Sequence, residues 1–260
     1  MDITQLNRDA WDHAVEQGDN PHTYAVTPER IAEARAGRWS IGLSESRMVP
    51  ADWFPPIHGR RVLALAAGGG QQASILAAAG AQVTLLDASP GQLAQDAYVA
   101  DRDGLEMTIL EGDMADLSAL SDASFDLIVN PVSTLFVPDL TPVWRGCQRV
   151  LVSGGVLMTG FMNPDEFIFD ADALDERNEF VVRYPLPYVE HQTLDETEIA
   201  ERVRRNEMFH FSHTMEAQLG GLLSAGFVIT GFYEDRRSEA DGNPIRHFMP
   251  SVFVVRAVRG

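Results

Sequence analysis

Arg61-Val-Leu-Ala-Leu-Ala-Ala-Gly-Gly-Gly-Gln-Gln72, followed by Val83-Thr-Leu-Leu-Asp87, is the stretch from which the fold is read. A short apolar strand runs into three glycines, a helix follows, and a second apolar strand ends in an aspartate. Glycines at such a turn let a nucleoside cofactor come close to the backbone. An acid about 20 positions further on suits a pair of ribose hydroxyls, whose hydrogens it accepts. The two segments together predict an α/β core built around a nucleotide-type cofactor.

The pattern continues outward from there. Val62–Ala66 reads as the first strand, Gln71–Ala79 as its helix closed by Gly80, and Gln82–Asp87 as the second strand. Ser89-Pro-Gly-Gln92 opens a helix with a capping serine, a first-position proline and a glutamine placed for a capping box. Met107–Leu110 and Phe125–Asn130 are the third and fourth strands, Thr141-Pro142 opens another helix, and Gly155–Gly160 is the fifth strand. Such alternation implies a parallel sheet with helices on both faces, and ligands at the carboxyl ends of its strands. A helix over Met215–Ala225, ended by Gly226, precedes Phe227–Tyr233 and Ser251–Val258. These last two runs read as a hairpin with Asp241-Gly-Asn-Pro244 in the connection.

The expected fold is α/β and Rossmann-like: a doubly wound, mainly parallel seven-stranded sheet with an antiparallel C-terminal hairpin. Residues 1–58 are expected to form a helical cap, with helices at Ile3–Val15 and, capped by Thr27, at Pro28–Gly37. Trp39 and Trp53 in this cap read either as closing over a pocket or as its own core. Residues 59–160 form the cofactor core, 161–213 an insertion after strand five, and 214–260 complete the core.

Composition narrows the function. A net charge of −18 opposes polyanions, so no nucleic-acid partner is expected. All 20 basic residues are arginine. The lack of lysine removes a Schiff base, a phosphate-binding P-loop and the Tyr/Lys pair of many short-chain dehydrogenases. The single cysteine, Cys147, excludes an intramolecular disulfide. No apolar run reaches membrane-spanning length and no signal-peptide pattern opens the chain, so no membrane association and a cytoplasmic location are expected.

The core from about Arg60 to Gly160, with the closing helix and hairpin, resembles the class I S-adenosylmethionine-dependent methyltransferases, particularly the small-molecule type-11 group. The resemblance implies that the turn at Ala66, Gly68 and Gly70 receives the methionine part of S-adenosyl-L-methionine. It also implies that Asp87, with Ala88 beside it, binds ribose. Asp113 in Glu111-Gly-Asp-Met114 would reach the adenine amino group, and Met114 would offer a backbone N–H to the ring. Phe125-Asp-Leu-Ile-Val129 is similar to the family's fourth strand, and Arg149-Val-Leu-Val-Ser-Gly-Gly-Val-Leu157 to its arrival at strand five. The family commonly carries an acid where this chain has Ala64 and a glycine where it has Ala66. Gln71 and Gln72, whose amides donate and accept, are the candidates to replace the missing acid around the cofactor's amino group.

Several alternatives stay open on the residues themselves. Gly68-Gly-Gly-Gln-Gln-Ala73 also satisfies the dinucleotide pattern G-x-G-x-x-A, so an NAD-dependent oxidoreductase is the rival enzyme. A non-catalytic S-adenosylmethionine-binding protein is the rival outside catalysis. Asp113 reads equally as turn chemistry after Gly112. Asn130-Pro-Val-Ser133 reads as a turn closing strand four or as a clamp on an acceptor amine, and Asn130 is taken to line the cofactor site. The 161–213 segment holds thirteen acidic residues against five arginines and is the expected specificity element for a small-molecule acceptor. It contains Tyr184, Tyr188, His191, His210 and His213. No metal site is expected from this spacing. His213 and then His210 are the candidate general bases, with local capping or packing as the plainer reading of each.

Overall fold

The computed structural model describes residues 1–239 and 242–260, with the backbone only at Glu176. Asp241, expected in the last connection, lies outside the described residues. The N-terminal part carries α1 (Ile3–Gln17) and α2 (Pro28–Arg35). The core follows as β1 (Arg61–Leu65), α3 (Gln72–Ala78), β2 (Gln82–Asp87), α4 (Pro90–Asp103), β3 (Met107–Glu111), β4 (Phe125–Asn130), α5 (Thr141–Val150) and β5 (Leu151–Met162). Three short helices, α6 (Ala171–Arg177), α7 (Glu190–Thr193) and α8 (Glu196–Arg204), fill the excursion after β5. The chain then closes with α9 (Gly221–Ser224), β6 (Phe227–Asp235) and β7 (Val252–Arg259).

The strands form one seven-stranded sheet in the order β3-β2-β1-β4-β5-β7-β6. The first five are parallel, and β7 runs antiparallel between β5 and β6. This is the expected sheet. Strand order reverses between β1 and β4, so the crevice above their carboxyl ends is where a ligand belongs.

A parallel sheet covered on both faces needs apolar residues on both sides of each strand. In β1, Val62 and Ala64 enter one core with Leu76 and Leu85, while Leu63 and Leu65 enter the other with Trp144 and Phe161. Ala64 is fully buried there.

Two local expectations need correction. Gln92 makes no capping box: its backbone N–H goes to the Ser89 hydroxyl (3.0 Å), but the Ser89 N–H goes to Asp87 (3.0 Å). The helix expected over Met215–Ala225 forms, but its stretch Glu216–Gly220 is π-helical and runs directly into α9. Within it the Ala217 carbonyl accepts the Trp144 indole N–H (3.1 Å).

Candidate active site

The first cavity, about 390 Å³, opens above the carboxyl ends of β1, β2 and β4. It is lined by the Gly-rich turn, Asp87 to Ser89, Asp113 and Met114, and residues 131–133 after β4. α1 supplies Asn7, Arg8 and Trp11 to its wall, and the loop at 42–45 covers another side.

Asp87 organises the floor. Its carboxylate accepts the Gly68 N–H (2.9 Å) and the Ser89 N–H (3.0 Å), tying the end of β1 to the start of α4. Gly68 must lack a side chain, since a Cβ there would lie 2.7 Å from the Gln92 Cβ and 3.0 Å from the Asp87 carboxylate. Burial pushes the Asp87 carboxyl above its ordinary range, the two N–H groups oppose this, and the nearby Asp12 charge adds to it. Asp12 on α1 accepts the Ser89 hydroxyl (2.6 Å) and the Gly91 N–H (2.8 Å). An anion at the first turn of α4 also meets the positive end of that helix. This contact lays α1 across the cavity.

Sequence reading missed a second acid. Asp96, fully buried on α4, accepts the Gly70 N–H (2.8 Å) and holds the turn from below. Gly70 is thereby part of the support and not of the lining. The spacing of Gln92 and Asp96, one turn apart among buried Leu93 and Val99, is the signal that was available.

The other candidates divide. Ala66, Gly68, Gln71, Gln72, Asp87, Ala88, Asp113 and Met114 all border this cavity. Gln71 donates to the Pro21 and Tyr24 carbonyls (2.9 and 3.0 Å), and Gln72 to the Gly42 carbonyl (3.2 Å). Each amide thus pins a cap loop and keeps its oxygen for other use. One Asp113 oxygen accepts the Ala115 N–H (2.8 Å), so the turn chemistry is real.

Asn130 does not line the cavity. It is fully buried, donates to the Leu65 carbonyl (2.8 Å) and the Ser133 hydroxyl (2.8 Å), and accepts from the Thr159 hydroxyl (2.9 Å). It straps β1, β4 and β5 together beneath the site. Trp39 and Trp53 do not close over the cavity either; they pack edge-on or tilted against Phe54 and Tyr233.

A second cavity, about 520 Å³, lies under the excursion after β5. Phe167, Phe169, Tyr184 and Tyr188 give it an aromatic wall, among eight acidic side chains and four arginines. Leu135, Met162, His210 and Arg237 belong to the walls of both cavities. Arg237 is paired there with Glu166 (2.9 Å).

The two histidines part company here. His210 stands in the shared wall. His213 borders neither cavity, and its Nε2 meets the Thr134 and Val137 carbonyls (3.0 and 2.9 Å). Burial pushes the His213 imidazole below its ordinary range, so it serves as a neutral donor to those carbonyls. Among the described residues no group of three or more His, Cys, Asp and Glu is arranged to hold a metal. Among the described residues no helix is long and apolar enough to cross a membrane.

The first cavity suits a nucleoside cofactor of modest size. Two acids stand at the ends of neighbouring strands, and Gly68 leaves the backbone bare beside Asp87. A bare backbone at that turn fits a nucleoside cofactor that approaches it closely.

Residues 63–159 match the family model described as a methyltransferase domain. The chain is 46% identical over 230 residues to an uncharacterized methyltransferase, YbaJ, of Bacillus subtilis, covering 88% of this chain and 89% of that one. It is 35% identical over 109 residues to a ubiquinone biosynthesis O-methyltransferase of Xanthomonas oryzae, covering 40% of this chain and 44% of that protein. A solved S-adenosylmethionine-dependent methyltransferase from Mesorhizobium loti shares the fold at a TM-score of 0.62 and 22% identity, over 80% of this chain and 94% of that one.

Proposed function

The chain belongs to the class I S-adenosylmethionine-dependent methyltransferases, and on that premise we propose that it methylates a small-molecule acceptor admitted through the second cavity. The observation that carries this is the shared wall. A chamber of about 520 Å³ stands beside the cofactor cavity and has Leu135, Met162, His210 and Arg237 in common with it. A chamber of that size takes a small molecule. The matched relative of ubiquinone biosynthesis supports the same reading. With membership of this family, the NAD-dependent rival has no remaining support.

Bound S-adenosylmethionine supplies a methyl group on a positively charged sulfur, ready for in-line displacement by a lone pair. The protein's task is alignment and exclusion of water. Asp87 is assigned to the ribose hydroxyls, because its carboxylate borders the cavity while two backbone N–H groups fix its angle. Asp113 and Met114 are assigned to the base, and Gly68, Gln71 and Gln72, with Ala66 and Ala88 in the walls, to the rest of the cofactor. Asp96 and Asn130 act one layer below, holding the turn and the strand ends. Of the two candidate bases only His210 borders the cavities, so the proton-accepting role falls to it.

The test is to incubate the enzyme with methyl-labelled S-adenosylmethionine and a cell extract split by dialysis. Label is expected in the dialysable fraction. Label confined to retained protein or nucleic acid would refute a small-molecule acceptor.

A further inference from the structure

An ionic cluster converges on the shared wall beside His210. Glu190, at the start of α7, is 2% exposed and sits behind His210. One of its oxygens lies 3.3 Å from His210 Nδ1 and accepts the His210 backbone N–H (2.9 Å). The other lies 2.8 Å from the Arg202 guanidinium and accepts from the Tyr188 hydroxyl (3.2 Å). Burial pushes the Glu190 carboxyl up, but the His210 contacts and the Arg202 charge outweigh it and hold the group below its ordinary range. Glu190 is therefore an anion in the interior, with donor groups beside both of its oxygens.

The imidazole is oriented as firmly as its partner. The His210 ring lies between Phe136 and Phe167, with centroids 5.6 and 6.4 Å away. A neutral ring that gives its Nδ1 hydrogen to Glu190 keeps the lone pair on Nε2. Nε2 has no protein hydrogen-bond partner among the described residues, although the residue stands at the seam of two cavities. His213, three residues on, shows what a packed histidine looks like in this protein: its Nε2 is taken by two carbonyls.

We propose that Glu190 is a positioning residue that fixes His210 as a proton acceptor, and that the methyl acceptor is accordingly a hydroxyl or amine that arrives with its proton still attached. The proposal rests on the methyl-transfer reading above and narrows its substrate class. As the acceptor's lone pair forms the bond to the methyl carbon, the carbon–sulfur bond breaks and its electron pair stays on sulfur. The acceptor's proton passes to His210 Nε2. The imidazolium charge that results faces an ionised carboxylate through the other ring nitrogen, which favours the transfer.

The tautomer of His210 is the direct readout, because a merely structural ion pair does not require it. Long-range proton–nitrogen correlation on protein with labelled histidine reports which ring nitrogen carries the hydrogen. The His210→Gln variant identifies the signals of that ring among the seven histidines. At about pH 8.5, two units above the ordinary imidazole range, the wild-type ring should show a protonated Nδ1 and a bare Nε2. Glu190→Gln should lose that preference and give mixed tautomers while still unfolding cooperatively. A protonated Nε2 in the wild type, or an unchanged tautomer in Glu190→Gln, would overturn the proposal. If Glu190→Gln does not fold, the wild-type tautomer alone decides. Titrating S-adenosylhomocysteine into the same sample separates the two levels. Binding with a protonated Nε2 removes the dyad and leaves methyl transfer standing. Absence of binding removes the methyl-transfer reading, and this proposal with it.

Discussion

Replacing Asp96 with asparagine should stabilise the protein at alkaline pH and leave it nearly unchanged at acid pH. Asp96 is fully buried on α4 beneath the Gly-rich turn. Burial drives its carboxyl from 3.8 up to about 7; the Gly70 N–H opposes this and the Asp87 charge adds to it. Its folded-state pKa thus lies above the unfolded one, so the folded protein favours the protonated acid. Stability from this group is fully present below the unfolded pKa and is lost as pH rises through the folded one. A rise of about three units, at about 1.4 kcal/mol each, sets the loss at about 4 kcal/mol. Asparagine has the same shape and does not ionise. Its oxygen can accept the Gly70 N–H and its amide can donate to the Ser74 hydroxyl, which Asp96 meets at 3.4 Å. The assay is urea unfolding of both proteins from about pH 4 to about pH 8. The difference should open toward high pH, reaching about 4 kcal/mol in favour of the variant. A difference constant across that range would refute the reasoning. A variant less stable at the alkaline end would show the carboxylate to be ionised and favourable.

Three further substitutions probe the same floor. Ala66 holds φ at +46°, where a side chain is strained, so Ala66→Gly should gain up to about 1 kcal/mol in thermal or urea unfolding. Gly69 has φ at +109°, and a Cβ there would lie 2.6 Å from the His22 carbonyl oxygen. Gly69→Ala should therefore cost at least about 2 kcal/mol in the same assay. Asn130→Ala leaves the Leu65 carbonyl and the Thr159 hydroxyl without their buried partner. It should cost about 2 kcal/mol or more, read as a lower urea midpoint.

Much of the fold was legible because its signals are local. β2 and β4 fall at their expected boundaries, since apolar runs between turn residues mark a covered parallel strand. Ser89 and Pro90 begin α4 as their chemistry requires. Asp87 and Asp113 could be picked out by their place after β2 and β3, and both border the cavity. What stayed hidden depends on contacts between distant segments. Asp96 reads as an ordinary polar residue within a helix until α4 is seen to run beneath Gly70. Asp12 gives no sign that α1 will cross 77 positions to reach Ser89. Asn130 ends a strand where a place in the cofactor lining was expected, yet the fold turns it toward the Leu65 and Thr159 partners of its own sheet. His210 and His213 look equivalent in the chain. Only the placement of Glu190 beside one, and of two carbonyls beside the other, tells them apart. The π-helical stretch at Glu216–Gly220 was equally hidden, since its Ala217 carbonyl meets an indole from α5.

The central claim is that the cavity between the Gly-rich turn and Asp87 holds the cofactor. Isothermal titration of S-adenosylhomocysteine into the wild type and into Asp87→Asn tests it most directly. The account predicts micromolar binding to the wild type and a loss of at least about tenfold in the variant, where an amide N–H donor replaces one of the two carboxyl oxygens that accept hydroxyl hydrogens. Equal affinity in the two proteins, or no binding to the wild type, would contradict it.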